Sequence, residues 1–216
     1  MKTFPTENNF IYFTLALLLL LLSSAIVDSM PETQGLMLVE IVILITHIVA
    51  YLSLNFGPRW RYFVISMFLS IALANTLNRF TDLPGMSLVA LGFTLAFYLG
   101  VALTIARKVL FPKSVNANIV VGALAIYMLL GLIWATLYLI TMEFFPDAFN
   151  GIEHIYYGDN FSNALYYSYI TMTSVGYGEI TPAITMSRTL AYMQAMVGSF
   201  YMAVVVASLV SARRQH

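Results

Sequence analysis

The chain has 216 residues, of which 60% are hydrophobic and 9% charged, and its acidic and basic residues balance to a formal net charge of zero. A water-soluble domain carries about 25% charged residues, so this composition excludes that class and indicates an integral membrane protein. The sequence contains no cysteine, which excludes disulfides and thiolate metal sites.

Six segments are long and apolar enough to cross a bilayer, whose hydrocarbon core of about 30 Å requires on the order of 20 apolar residues in a helix. They are residues 10–27, 36–54, 60–77, 86–106, 118–142 and 188–211. Residues 161–173 are too few and too polar at their start to span, and they predict a re-entrant helix. Non-helical backbone at membrane depth must be buried in protein or line water. The predicted fold is therefore an all-α integral membrane protein with six transmembrane helices, one re-entrant helix and an extended segment after it.

Basic residues predict the orientation of these segments. With a cytoplasmic N-terminus, the outer loops hold only Arg79 and Arg188, whereas the cytoplasmic ends hold Lys2, Arg59, Arg61, Arg107, Lys108, Lys113, Arg213 and Arg214. This distribution predicts a multi-pass cell-membrane protein with both termini cytoplasmic. The first segment also fits a cleaved signal peptide, since Lys2 precedes a leucine run. The charge distribution favours its retention as a helix.

The extended segment after the re-entrant helix has a distinctive sequence, because residues 171–178 read TMTSVGYG. Gly176 and Gly178 tolerate backbone angles that residues with a Cβ resist. They alternate with Val175 and Tyr177, whose side chains can then point away while carbonyl oxygens face one side. The run resembles the selectivity filter of potassium channels, in which such carbonyls replace the hydration shell of K⁺.

This resemblance implies roles for individual residues. It implies ion binding by the strand Ser174, Val175, Gly176, Tyr177 and Gly178, with K⁺ at the first four. It also implies support of the filter by Tyr166, Tyr167, Thr171, Thr173 and Glu179. The two tyrosines fall where an aromatic cuff braces the filter, although they also fit aromatic residues of a membrane interface.

Residues 114–216 as a whole resemble the pore module of tetrameric cation channels. In that resemblance the outer helix is 118–142, the pore helix 161–173, the filter 174–178 and the inner helix 188–211. Ser174 stands where the family has threonine, so a methyl group is lost beside the innermost ion site. Glu179 stands where the family has aspartate, and its longer side chain is predicted to reach a pore-helix group such as Tyr166. The resemblance implies that these changes affect slow closure of the filter.

Three residues of the inner helix are candidates for gating. Gly198 occupies the position of a glycine hinge in similar channels, and it equally fits close packing of two helices. Val206 and Val210 fit an apolar constriction that closes the pore by dewetting, or side chains that face lipid.

Residues 1–113 resemble a four-helix voltage-sensor domain in number and placement of helices. Each charge that crosses the membrane field contributes only about 2.3 kcal/mol per 100 mV, so voltage sensing requires several arginines along the fourth helix. Residues 86–106 contain none, which predicts weak or absent voltage dependence. Glu40 and His47 are the deepest ionisable residues of these helices. His47 fits a proton sensor or a packed core histidine.

The sequence thus predicts a potassium-selective channel, and a cation channel with relaxed selectivity is the alternative. One filter copy in the chain predicts a homotetramer, and it contradicts a transporter with four filter repeats in one chain. An enzyme is not expected, because the three histidines lack a metal-binding spacing. A non-conducting accessory subunit remains open. Membrane lipid is the other expected partner, while no nucleic acid, cofactor or cytoplasmic ligand domain is expected, and K⁺ is the permeant ligand.

Overall fold

A computed structural model describes residues 9–27, 32–54, 58–81, 85–109, 116–152 and 160–213. Within these ranges two short strands, Phe149–Asn150 (β1) and Thr181–Pro182 (β2), accompany a set of helices. The helices are α1 (Asn9–Val27), α2 (Glu32–Ser53), α3 (Pro58–Thr81), α4 (Met86–Val109), α5 (Ala117–Phe144), α6 (Phe161–Met172) and α7 (Thr185–Arg213). The predicted segments correspond to these helices, and no end differs by more than four residues.

The described part of the chain contains three helices that are long and apolar enough to cross a membrane. They are Pro58–Leu77, Met86–Val109 and Ala117–Phe144, and the apolar helices Phe10–Ser24 and Ile41–Ser53 are shorter. The protein is therefore a helical membrane protein. The side chains of Glu40, Arg79, Val206 and Val210 lie outside the described residues.

Helix α5 is the centre of the structure, because α1, α4, α6 and α7 all pack against it. The residues of α5 itself are apolar on nearly every side of the helix, as expected for a helix that is buried rather than amphipathic. Asn116 caps its first turn by accepting a hydrogen bond from the Ile119 amide at 3.0 Å. At its other end Ser87 of α4 donates to the Glu143 carboxylate at 2.7 Å. Helix α4 is thus joined directly to α5.

The two strands, which the sequence did not predict, pair antiparallel with Phe149 opposite Pro182 and Asn150 opposite Thr181. The Ala148 carbonyl also accepts hydrogen bonds from the Ala183 amide at 2.9 Å and from the Ser187 hydroxyl at 2.7 Å. Two-residue strands give no alternation that a sequence pattern can reveal. They tie the end of α5 to the segment between residue 178 and α7.

Candidate functional site

The site begins where α6 ends and the chain reverses into an extended segment. The Ile170 carbonyl, near the end of α6, accepts hydrogen bonds from the amides of both Val175 at 2.8 Å and Gly176 at 3.2 Å. Such bonds satisfy a carbonyl that the last helical turn leaves without a partner. They also fix the start of the extended segment against the helix that precedes it.

The extended segment alternates in backbone conformation. Ser174, Gly176 and Gly178 have positive φ angles of 60°, 54° and 97°, while Val175 and Tyr177 between them do not. This alternation is the conformation in which successive carbonyl oxygens can turn to one side of a strand. Glycine adopts positive φ without steric cost. We call residues 174–178 the filter strand.

Ser174 is the single non-glycine residue with positive φ in the described part of the chain. For a residue with a Cβ this left-handed conformation costs roughly 1–2 kcal/mol. Backbone strain of this kind persists where the surrounding structure imposes it, and it clusters at functional sites. The serine that replaces the family's threonine is therefore also the strained residue of the filter strand.

The filter strand is exposed in the single chain. Residues 173–179 are all exposed, including 74% of Tyr177 and 50% of Val175. The neighbouring helix α7 carries an exposed apolar face, formed by Tyr192, Met193, Met196, Val197, Phe200, Met202 and Val204. In a membrane protein such an apolar face is covered either by lipid or by another polypeptide chain.

A buried hydrogen-bond network lies behind the filter strand and joins three helices. The Gln194 amide of α7 donates to the Ser168 hydroxyl of α6 at 2.7 Å and to its carbonyl at 2.9 Å. Tyr138 of α5 donates to Gln194, and the Ser168 hydroxyl donates to the Gly131 carbonyl of α5 at 2.7 Å. These three side chains are fully buried. We call Tyr138, Ser168 and Gln194 the polar bracket.

Sequence reasoning missed the polar bracket, although one signal was present. An amide side chain inside an apolar span is costly unless it finds a partner, so Gln194 marks an internal contact. The identity of that partner depends on how α6 packs between α5 and α7. Ser168 and Tyr138 are separated from Gln194 by 26 and 56 residues, and no local pattern relates them.

The two predicted cuff tyrosines have different surroundings. Tyr167 is buried and packs edge-on against Tyr138 and Phe149, with ring centroids 5.0 and 5.2 Å away. Such aromatic pairs stabilise a core beyond their burial alone. Tyr166 is 41% exposed and lies on the side of the filter strand. Tyr167 therefore braces α6 from inside the subunit, whereas Tyr166 does not.

Tyr166 instead interacts with Glu179, the contact that the sequence predicted for this longer acid. Hydrogen bonding to the Glu179 carboxylate, together with desolvation and the acid's charge, raises the pKa of Tyr166 to about 12. The Tyr166 phenol is the donor in this hydrogen bond. A residue of α6 is linked in this way to the outer end of the filter strand.

Gly198 packs against the end of α6. A Cβ at this position would lie 2.5 Å from the Met172 carbonyl oxygen, so only glycine allows the two helices to approach this closely. Helix α7 continues without interruption through residue 198. The contacts thus support the packing interpretation of Gly198, and its action as a hinge stays a prediction.

His47 lies in the core between α2, α3 and α4. Its Nδ1 is 2.8 Å from the Ile43 carbonyl, and its ring stacks on Phe97 at a centroid distance of 3.9 Å. These contacts favour the packed histidine over the proton sensor. Among the described residues no cluster of three or more histidine, aspartate or glutamate side chains could hold a metal ion.

The structure places a short helix and an exposed strand between the two long helices α5 and α7, the order of elements that the sequence predicted for a pore segment. Residues 122–215, a little under half of the chain, match the family model described as "Ion channel". The region from α5 through α7 is therefore similar to ion channels. No curated protein and no solved structure matches the chain.

Proposed function

We propose that the protein is a potassium-selective channel that passively conducts dehydrated K⁺. The observation that carries this proposal is the alternation of positive φ at Ser174, Gly176 and Gly178 in an exposed strand that follows a re-entrant helix. Carbonyl oxygens on one side of such a strand can replace the water that K⁺ sheds. The ion sites of this proposal are formed by residues 174–177.

A single filter strand cannot surround an ion, so the conducting unit is proposed to be a homotetramer with cyclic symmetry. The exposed apolar face of α7 and the exposed Val175 and Tyr177 support this assembly, because a neighbouring subunit would cover them. Six transmembrane helices in each subunit, a domain boundary near residue 113 and cytoplasmic termini belong to the same proposal. Membrane lipid surrounds the assembly.

A cation channel with relaxed selectivity is the second candidate. It is favoured by Ser174, which lacks the family's methyl group and has a strained backbone. Residues 175–178 keep the sequence Val-Gly-Tyr-Gly of potassium-channel filters. This favours potassium selectivity, since the carbonyls of these residues form most of the proposed sites. A difference between the two candidates is therefore expected in ion discrimination and not in assembly.

Reversal potentials in planar bilayers test the proposal. Purified protein is placed between K⁺ and Na⁺ solutions of equal concentration, and we expect a large reversal potential whose sign reports K⁺ preference. A value near zero would refute selectivity, and a tetramer without any current would make the chain an accessory subunit. Gly178→Ala should abolish selectivity, because it places a Cβ at a φ of 97° in the filter strand. Gly85→Ala is the matched control, since Gly85 has a similar φ of 83° just before α4.

A further inference from the structure

A groove between α2 and α3 opens on the outer surface of the helices. Helix α2 packs far more extensively on α1 than on α3. Two adjoining cavities of about 320 and 340 Å³ fill the resulting space, and both are lined by Leu44 and Phe68. We call this continuous space the α2–α3 groove.

The dimensions of the groove match half a bilayer. Along α2 it extends from Leu52 to Ile41, eleven residues or about 16 Å at the rise of an α-helix. The hydrocarbon core of a membrane is about 30 Å thick, so one leaflet contributes about 15 Å. The groove therefore has the length that an acyl chain occupies in one leaflet.

The lining of the groove is apolar along most of this length. Apart from His47 and Tyr51, the part nearest Arg61 is lined by apolar residues, which include Leu44, Ile48, Leu52, Val64, Ile65 and Leu69. In a soluble protein such a surface would attract a protein partner, but these helices belong to a membrane protein and face hydrocarbon. An acyl chain fills an apolar groove in this setting without any loss of hydrogen bonds.

A positively charged side chain lies at one end of the groove. Arg61 is exposed, and its guanidinium lies 5.9 Å from the centre of the Tyr51 ring, which lines the groove. Arg61 precedes Ile65 and Phe68 by four and seven residues, so helical periodicity puts all three on the same face of α3. Arg59 is also exposed, but residues two apart on a helix do not share a face.

We propose that the α2–α3 groove binds one phospholipid with an anionic headgroup. Its acyl chain lies along the groove, and its phosphate accepts hydrogen bonds from the Arg61 guanidinium, whose planar fork fits phosphate oxygens. Charge complementarity at the mouth selects an anionic over a zwitterionic headgroup. The positive-inside distribution puts this mouth at the cytoplasmic leaflet. The proposal does not depend on which ion the protein conducts.

Tryptophan quenching by brominated lipids tests this site, because Trp60 lies at the start of α3, one residue from Arg61. The chain has two tryptophans, and Trp134→Phe leaves Trp60 as the only reporter. The tetramer is placed in vesicles of phosphatidylcholine with increasing fractions of brominated phosphatidylglycerol or brominated phosphatidylcholine. The ratio of the two quenching curves gives the relative association of the anionic lipid near Trp60.

We expect phosphatidylglycerol to quench at a lower mole fraction than phosphatidylcholine. Arg61→Gln should weaken that preference on the order of fivefold, the effect of one basic residue near an anionic lipid. Arg59→Gln, on the other face, should change it far less. Ala72→Phe, which places a ring in the deeper half of the groove, should reduce quenching by both lipids.

Four results would overturn the proposal. Equal losses for Arg59→Gln and Arg61→Gln would show attraction to the protein surface in general, and equal quenching by both lipids would exclude selection by charge. Quenching that Ala72→Phe leaves unchanged would show that no acyl chain enters the groove. A second copy of the chain in the groove would produce disulfides between single cysteines introduced at Leu44 and Ile65 of different subunits, and it would refute lipid occupancy.

Discussion

The polar bracket predicts how the pore segment responds when a buried partner is removed. The perturbation is Gln194→Met, which keeps the length of the side chain and removes its amide. Gln194 is fully buried, and it forms two bonds to Ser168 and accepts one from Tyr138. After the substitution the Tyr138 hydroxyl is a buried donor without its partner, while the Ser168 hydroxyl still donates to the Gly131 carbonyl.

The magnitude follows from these three bonds. Hydrogen bonds between helices in a membrane contribute about 0.6 kcal/mol on average and up to about 1.7 kcal/mol, so three of them come to about 2 kcal/mol per subunit. Tyr138→Phe alone should cost about 0.6 kcal/mol, because it removes one bond. The double variant loses the bond between Tyr138 and Gln194 only once, so it should be about 0.6 kcal/mol more stable than the sum of the single changes.

The assay is reversible unfolding of the purified protein in mixed micelles, followed by circular dichroism as the denaturing detergent increases. Thr94→Val is the control, because the Thr94 hydroxyl bonds only to the Ala90 carbonyl of its own helix. Reversal potentials of the same variants show whether ion selectivity changes as well. Additive single effects, or a stability of Gln194→Met equal to that of the control, would refute the view that the bracket holds α6 in place.

Three further predictions concern the filter and its surroundings. Gly198→Ala should separate α7 from Met172 and lower the stability measured in the same unfolding assay. Gly92→Ala, with open space around it, should not, and equal losses of stability would contradict the packing role. Tyr166→Phe removes the contact with Glu179 and should alter the rate of slow current decay while the reversal potential stays constant, and an unchanged decay would sink the assignment. Conductance–voltage curves should be shallow because α4 lacks spaced arginines, and a slope as steep as that of arginine-bearing channels would disprove this.

Much of the fold could be predicted because the physical signal is local. A long apolar run, such as the one that forms α5, predicts a membrane-spanning helix directly, because its length matches the thickness of the hydrocarbon core. Gly176 and Gly178 likewise reported positive φ, since glycine is the residue for which that conformation is free. These predictions needed no knowledge of which helices meet.

The features that the sequence did not predict depend on which helices pack together. The strand pair of Phe149 with Pro182 and the polar bracket join residues far apart in sequence. Ser174 shows the limit at a single residue, because its left-handed backbone is imposed by its neighbours and not by its own preference. The difference between Tyr166 and Tyr167 also required the packing of α6, since both have the same side chain.

The strain at Ser174 and the attachments of α6 belong to one physical problem. A strand with exposed residues and an unfavourable backbone angle cannot keep its shape by its own preferences, so the elements around it must hold that shape. The polar bracket and the ring cluster at Tyr167 fix α6 from behind, and Glu179 fixes the far end of the strand through Tyr166. Substitutions in the polar bracket and in the ring cluster at Tyr167 should therefore change ion discrimination without contacting an ion. Substitution of an exposed residue of α3 that lies outside the α2–α3 groove, such as Leu73→Ala, should leave it unchanged.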